Sequence, residues 1–234
     1  MHLFHCTELS TEEIELSEDE AHHAASVLRL KVGERIGILD GRGARVEAEL
    51  IEVGKRAVIA RSVSRHLDPP ERNARIRLAI APTKQNDRLE WFVEKAVEVG
   101  VDRIDLVLTQ RCERTRLRLD RLHRVAISAM KQSQRSWLPT IEGPFRSEQL
   151  LAMDLPAQRY FGYCTGEHSP LMKVYDKAQD ALILIGPEGD LTPLEAEQLL
   201  EKGFVAVSLG HARLRTETAA LAACTWMSLT QQIG

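Results

Sequence analysis

The sequence predicts an α/β protein in two parts, a small β-barrel over residues 1–68 and a larger domain on a mainly parallel sheet over residues 71–234. Three observations predict it. Short alternating strands joined by glycine turns fill the first part. The paired prolines of Asp68-Pro69-Pro70 fix an extended connection. Beyond them, continuous apolar runs alternate with amphipathic helical stretches, the pattern of a sheet covered on both faces.

In the first part, Arg35–Asp40 alternates apolar and polar residues, and Gly41-Arg42-Gly43 turns the chain. Ala44–Val53 then alternates again, with Val46, Ala48 and Leu50 in phase, and Gly54-Lys55 leads into Ala57–Ala60. Glu20–Arg29 is the one expected helix. In the second part, Ile76–Ala81 reads as a buried strand. Leu89, Phe92, Val93, Ala96 and Val97 recur at helical spacing from a start at Asn86 or Asp87, and Gly100 ends the helix. Ile104–Leu108 is the next strand, and Asp120 opens a second helix with Leu122, Val125, Ala126, Ala129 and Met130 on one face. Strands follow at Tyr160–Tyr163, Ala181–Ile185 and Val205–Leu209, and the last helix runs from about Thr218 to Gln232. Thr192-Pro193-Leu194-Glu195 is a capping box with proline at the first helical position, so the loop Gly186–Asp190 must end there.

Composition narrows the function. No apolar run approaches the roughly 18 residues that cross a bilayer, and Met1-His2-Leu3-Phe4-His5-Cys6 lacks the basic and apolar regions of a signal peptide, so a cytoplasmic location is expected. Cys6, Cys112, Cys164 and Cys224 are far apart and form no CxxC, and no histidine stands in an HExxH arrangement, so no metal site is expected. The net charge of −3 argues against an RNA partner, yet residues 71–140 carry fifteen basic against nine acidic groups. Within them Arg111, Arg114, Arg116, Arg118, Arg121, Arg124, Lys131 and Arg135 face only Glu113 and Asp120 in sequence. Such a stretch is either a solvated helix face or a phosphate-binding stripe, since affinity for RNA follows local clustering of cations.

In open α/β sheets ligands bind beyond the carboxyl ends of the strands. Three glycine-bearing loops stand at such positions, Gly162–Gly166, Gly186–Asp190 and Gly210–Ala219. No Walker loop and no strand-linked GxGxxG is present, which sets aside nucleotide hydrolysis and a nicotinamide oxidoreductase.

Leu184-Ile185-Gly186-Pro187-Glu188-Gly189, followed by Ser208-Leu209-Gly210 and Leu214-Arg215-Thr216-Glu217-Thr218-Ala219, resembles the two signature stretches of the RsmE family. The likeness extends to Lys84 with Asp87-Arg88-Leu89-Glu90, to Glu94–Val101, to Gln132-Ser133-Gln134-Arg135 with Leu138-Pro139, and to His22-His23 with Val27-Leu28-Arg29. The resemblance implies a PUA-like N-terminal barrel and a SPOUT domain tied in a trefoil knot, where the strand pattern alone implies an unknotted sheet. It also implies a homodimer that methylates N3 of a uridine in 16S ribosomal RNA, free or in the small ribosomal subunit, using S-adenosylmethionine. Gly186, Leu209 and Leu214 are then expected to line the adenosine pocket, with Pro187, Glu188, Gly189 and Gly210 around it; for the two leucines, plain core packing is an equal alternative. Asp190 and His211-Ala212-Arg213 depart from the family pattern, which usually has glycine at the first position and Pro-Arg-aliphatic at the second.

Uridine N3 holds a proton at neutral pH, so attack needs a general base or a cation that favours the anionic base. Glu217 and Arg215 are the candidates, and an internal salt bridge is the alternative for either. Arg29, Arg111, Arg114, Arg116 and Arg135 are the expected RNA contacts. The final helix is apolar on more than one side, through Leu221, Ala222, Cys224, Trp226, Met227 and Leu229, which fits a dimer interface. Two other readings stand beside this one: a SPOUT methyltransferase with another target, such as a ribose hydroxyl, and a non-catalytic RNA-binding protein.

Overall fold

The computed structural model describes residues 1–54 and 57–232, so the Lys55 half of the expected Gly54-Lys55 turn lies outside the described residues. The chain divides into two compact units: Met1–Glu71 with Ile127–Leu138, and Arg72–Ala126 with Pro139 onward.

The first unit holds β1 (Leu3–His5), β2 (Glu13–Glu15), β3 (Arg35–Leu39), β4 (Ala44–Val53) and β5 (Val58–Leu67). They pair in the order β1-β3-β4-β5-β2, with β1 parallel to β3 and the other pairs antiparallel, a mixed sheet whose edges are β1 and β2. Val46, Ala48 and Leu50 of β4 are fully buried, so the alternation read from the sequence sets the core face. Phe4, Ile14, Ile36, Ile38 and Ala60 pack with them. The helix expected at Glu20–Arg29 is divided: α1 (Glu18–His22) passes into a π-helical turn, His23–Val27, and ends at Arg29 with φ 56°. The wider turn puts Ala24 into the core, while His22, His23 and Val27 stay exposed.

The second unit holds β6 (Ile76–Ile80), β7 (Arg103–Leu108), β8 (Thr140–Arg146), β9 (Gln158–Gly162), β10 (Ala181–Ile185) and β11 (Val205–Val207). All are parallel, in the order β11-β9-β10-β6-β7-β8. Every residue of β10 is buried, as both faces are covered. Leu182 and Leu184 pack with Phe161, Leu191, Ala196 and Leu199 on one side. On the other lies α7 (Thr216–Gln232), which packs against β6, β10 and α2 (Asn86–Val99), the last ended by Gly100 at φ 97°. The remaining helices are α3 (Leu119–Gln132), α4 (Ser147–Leu151), α5 (Leu171–Val174) and α6 (Pro193–Glu201). The capping box forms as expected: Thr192 Oγ1 accepts from Glu195 N at 3.2 Å, and Glu195 Oε2 accepts from Thr192 N at 2.8 Å.

Candidate functional site

Strands β11, β9 and β10 are adjacent and parallel, so their carboxyl ends lie along one edge of the sheet. The loops leaving them meet around a single cavity of about 710 Å³, within the range of about 300–1,000 Å³ that small ligands occupy. Ile185, Val207, Leu209 and Leu214 supply apolar wall, and Tyr163 and His168, with ring centroids 5.8 Å apart, add an aromatic side. Gly210 stands at φ 132° with open space where a Cβ would lie, so it is glycine for its backbone conformation. Gly186 is glycine for room: a Cβ there would come within 3.1 Å of Leu191 Cγ.

Distant residues hold these loops in shape. Thr216, buried at the start of α7, donates through Oγ1 to the Gly186 carbonyl at 3.1 Å. Arg111 Nη1 donates to the carbonyls of Gly189 at 2.7 Å and Leu191 at 3.3 Å. Glu188 accepts the Lys84 amide at 3.1 Å. Asp190, at φ 61°, accepts the Leu191 amide at 2.8 Å with one carboxylate oxygen and the Cys164 amide at 3.1 Å with the other, tying the loop after β10 to the loop after β9. Burial and then the Asp190 carboxylate push the Cys164 thiol above its usual range, against a lesser opposing pull from Arg213.

The cavity brings together Gly186, Pro187, Glu188, Leu209, Gly210 and Leu214. Gly189 is not part of its wall and packs instead against the Arg111 side chain. Glu217 and Arg215 are not part of it either. Glu217 is 6% exposed and its carboxylate lies 3.7 Å from the Arg88 guanidinium, the internal salt bridge that was its alternative reading. Arg215 is exposed just before α7.

The basic stretch also looks different in space. Arg114 donates to the Lys84 carbonyl at 2.8 and 3.1 Å and to Asn86 Oδ1, which secures the start of α2. Arg121 pairs with Glu90 at 2.6 Å, Lys131 with Glu20 at 2.5 Å, and Arg135 with Glu71. These acidic partners lie far away in sequence, so a local count of opposing charges misses them. Arg116 is exposed and, among the described residues, makes no hydrogen bond or ion pair; Arg29 is likewise exposed. No group of three or more potential metal ligands clusters among the described residues, and no helix there is long and apolar enough to cross a membrane.

A family model described as an RNA methyltransferase domain matches residues 70–228, and one described as an RNA methyltransferase PUA domain matches residues 16–61. The chain is 30% identical over 220 residues to the ribosomal RNA small subunit methyltransferase E of Rickettsia conorii, covering 92% of this chain and 89% of that one. A probable rRNA-methyltransferase from Porphyromonas gingivalis shares the fold at a TM-score of 0.91 with 38% identity over 99% of both chains. The ribosomal RNA small subunit methyltransferase E of Neisseria gonorrhoeae, solved bound to S-adenosyl methionine, is similar at a TM-score of 0.88 with 29% identity over 98% of both.

Proposed function

The chain belongs to the RNA methyltransferase family, and from that premise we propose that it transfers a methyl group from S-adenosylmethionine to N3 of a uridine in the 16S RNA of the small ribosomal subunit. One observation carries the reading: both stretches that resemble the family signatures contribute wall to one cavity at the carboxyl ends of adjacent parallel strands. The similar Neisseria protein was solved with that cofactor bound.

The cavity fits the cofactor by its chemistry. Apolar side chains of Leu209, Leu214 and Ile185 suit the faces of an adenine, and the Gly210 backbone lets a ligand edge approach closely. When bound, the cofactor supplies a methyl group already activated on a sulfonium, so the protein's work is to position the acceptor and manage its proton. Arg215, exposed beside the loop, is the cation we assign to favour the N3 anion of uracil. Glu217 is assigned to hold Arg88 and α7 rather than to act as the base.

Residues 1–68 are proposed as the PUA-like RNA-recognition domain and residues 71–234 as the SPOUT domain, working in the cytoplasm. A trefoil knot in the second part is included in the proposal. What supports it is the resemblance to the family, together with the hydrogen bond from Thr216 Oγ1 to the Gly186 carbonyl thirty residues earlier. A homodimer with its axis near α7 is proposed from Leu229, 49% exposed; of the other residues offered for that interface, Cys224 and Met227 are buried in the chain's own core, and Trp91 of the neighbouring α2 is 42% exposed. Sedimentation equilibrium at micromolar concentration should report a dimer; a monomer would reject this assembly.

For RNA contact the free cations count most. Arg116→Ala should lower the salt slope of RNA binding by about 0.7–0.9, whereas Arg114→Ala should lower thermal stability by unsecuring the start of α2. An unchanged slope for Arg116→Ala would make that residue part of the ordinary solvated surface before α3.

Methyl transfer to purified small subunits, followed by nucleoside digestion and mass spectrometry, tests the reaction. Label in 3-methyluridine is the expected result. Label confined to ribose would indicate a related methyltransferase with another target. RNA binding with no transfer and no cofactor affinity would indicate a non-catalytic RNA-binding protein.

A further inference from the structure

The cavity wall carries three carboxylates, those of Glu167, Glu188 and Asp190, against the single guanidinium of Arg213. Asp190 is the unusual one. Its backbone lies at φ 61°, in the left-handed region where a side chain is strained and glycine is at ease. A short acidic side chain offsets that strain only if it bonds the nearby backbone, and here it does so twice. One oxygen holds the Leu191 amide of its own loop, and the other crosses to the Cys164 amide of the loop after β9. Two of the three cavity walls are thereby joined by one charged group. The charge itself is not needed for the loop's own turn, which glycine would make with less strain.

We propose that Asp190 is a positioning and selectivity residue of the cofactor site: it locks the 162–168 loop against the 186–191 loop, and its fixed charge makes the cavity prefer the cationic methyl donor over the neutral product. The inference rests on the cofactor reading above. A sulfonium carries a positive charge that the thioether left after transfer lacks, so a wall with excess negative charge attracts the donor more than the product. Screened by water at the cavity mouth, one such charge changes the ratio of affinities about three- to tenfold. The same charge favours replacement of product by fresh donor, because only the donor carries the cation it attracts.

The test is calorimetric titration of S-adenosylmethionine and S-adenosylhomocysteine into wild type, Asp190→Asn and Asp190→Gly, with hydrogen exchange followed over residues 162–168. Asparagine keeps the side-chain volume and one of the two acceptor oxygens, so Asp190→Asn removes the charge and one backbone bond, while Asp190→Gly removes both bonds. Because a loosened loop weakens both compounds alike, the charge is read from the ratio: Asp190→Asn should lower the donor-to-product affinity ratio about three- to tenfold. Asp190→Gly should lose the same preference and also exchange faster at the Cys164 amide. An identical donor-to-product affinity ratio in all three proteins overturns the selectivity, and unaltered exchange in Asp190→Gly overturns the lock. Both of those leave the cofactor reading standing. Failure of wild type to bind either compound overturns that reading and this inference together.

Discussion

Glu195→Ala is expected to lower the unfolding free energy by about 3–4 kcal/mol, the largest stability effect of any single polar substitution near the site. Glu195 is 4% exposed and serves two structures at once. Its Oε2 completes the cap of α6, accepting from Thr192 N at 2.8 Å and Thr192 Oγ1 at 2.9 Å. Its Oε1 accepts the Gln110 amide at 2.7 Å, just beyond the end of β7. Removing the carboxylate strands two amide groups, each costing about 1–3 kcal/mol where burial keeps water away. The Gly186–Leu191 loop ends at this cap, so its order should fall with it. Urea unfolding checks the value, and Glu195→Gln, which keeps the volume and one acceptor, should fall between the two. A loss below about 1 kcal/mol would mean that water replaces these bonds freely.

Gly186→Val should weaken S-adenosylmethionine about tenfold to a hundredfold, as overpacking of about 1.5–3 kcal/mol falls on the cavity wall. The Cβ would meet Leu191 Cγ at 3.1 Å, Leu191 Cδ2 at 3.3 Å and the Leu191 amide nitrogen at 3.4 Å. Adding two methyl groups forces either Leu191 out of its buried position or the loop into the cavity. Gly189→Val is the control: a Cβ there meets only Arg111 carbon atoms at 3.4 and 3.5 Å, which is ordinary contact. Its effect should be several-fold smaller. Equal cofactor affinity in wild type and a folded Gly186→Val protein would put the cofactor elsewhere.

What the sequence made legible was local. The Thr192–Glu195 cap, the end of α2 at Gly100 and the burial of β10 each depend on residues a few positions apart, and each is present. The glycine loops were legible as a ligand site because they follow apolar strand runs. Strands β1, β2 and β8 had no comparable signal: the first two are three residues long, and β8 alternates with its exposed side outward at the sheet edge. The small barrel expected from the first part is a five-stranded mixed sheet, in which β1 pairs parallel to β3. The helix at residues 20–29 reads as one piece by composition, yet packing Ala24 inward widens it into a π turn.

Side-chain roles were the least legible, for a physical reason. An arginine in an electropositive stretch has the same sequence signature whether it meets a phosphate or a carbonyl. Arg111 is committed to Gly189 and Leu191, seventy-eight and eighty positions away, and Arg114 to Lys84. Only the three-dimensional path brings those acceptors near. Asp190 illustrates the converse: its departure from the family's glycine was legible, but the two loops that its carboxylate joins were not.

The most direct measurement compares nucleosides of small-subunit ribosomal RNA from cells with and without this protein. 3-Methyluridine is expected to disappear with the gene and to return with the wild-type chain but only weakly with Gly186→Val. Unchanged 3-methyluridine, with loss of a 2′-O-methylated nucleoside in its place, would contradict the assigned reaction.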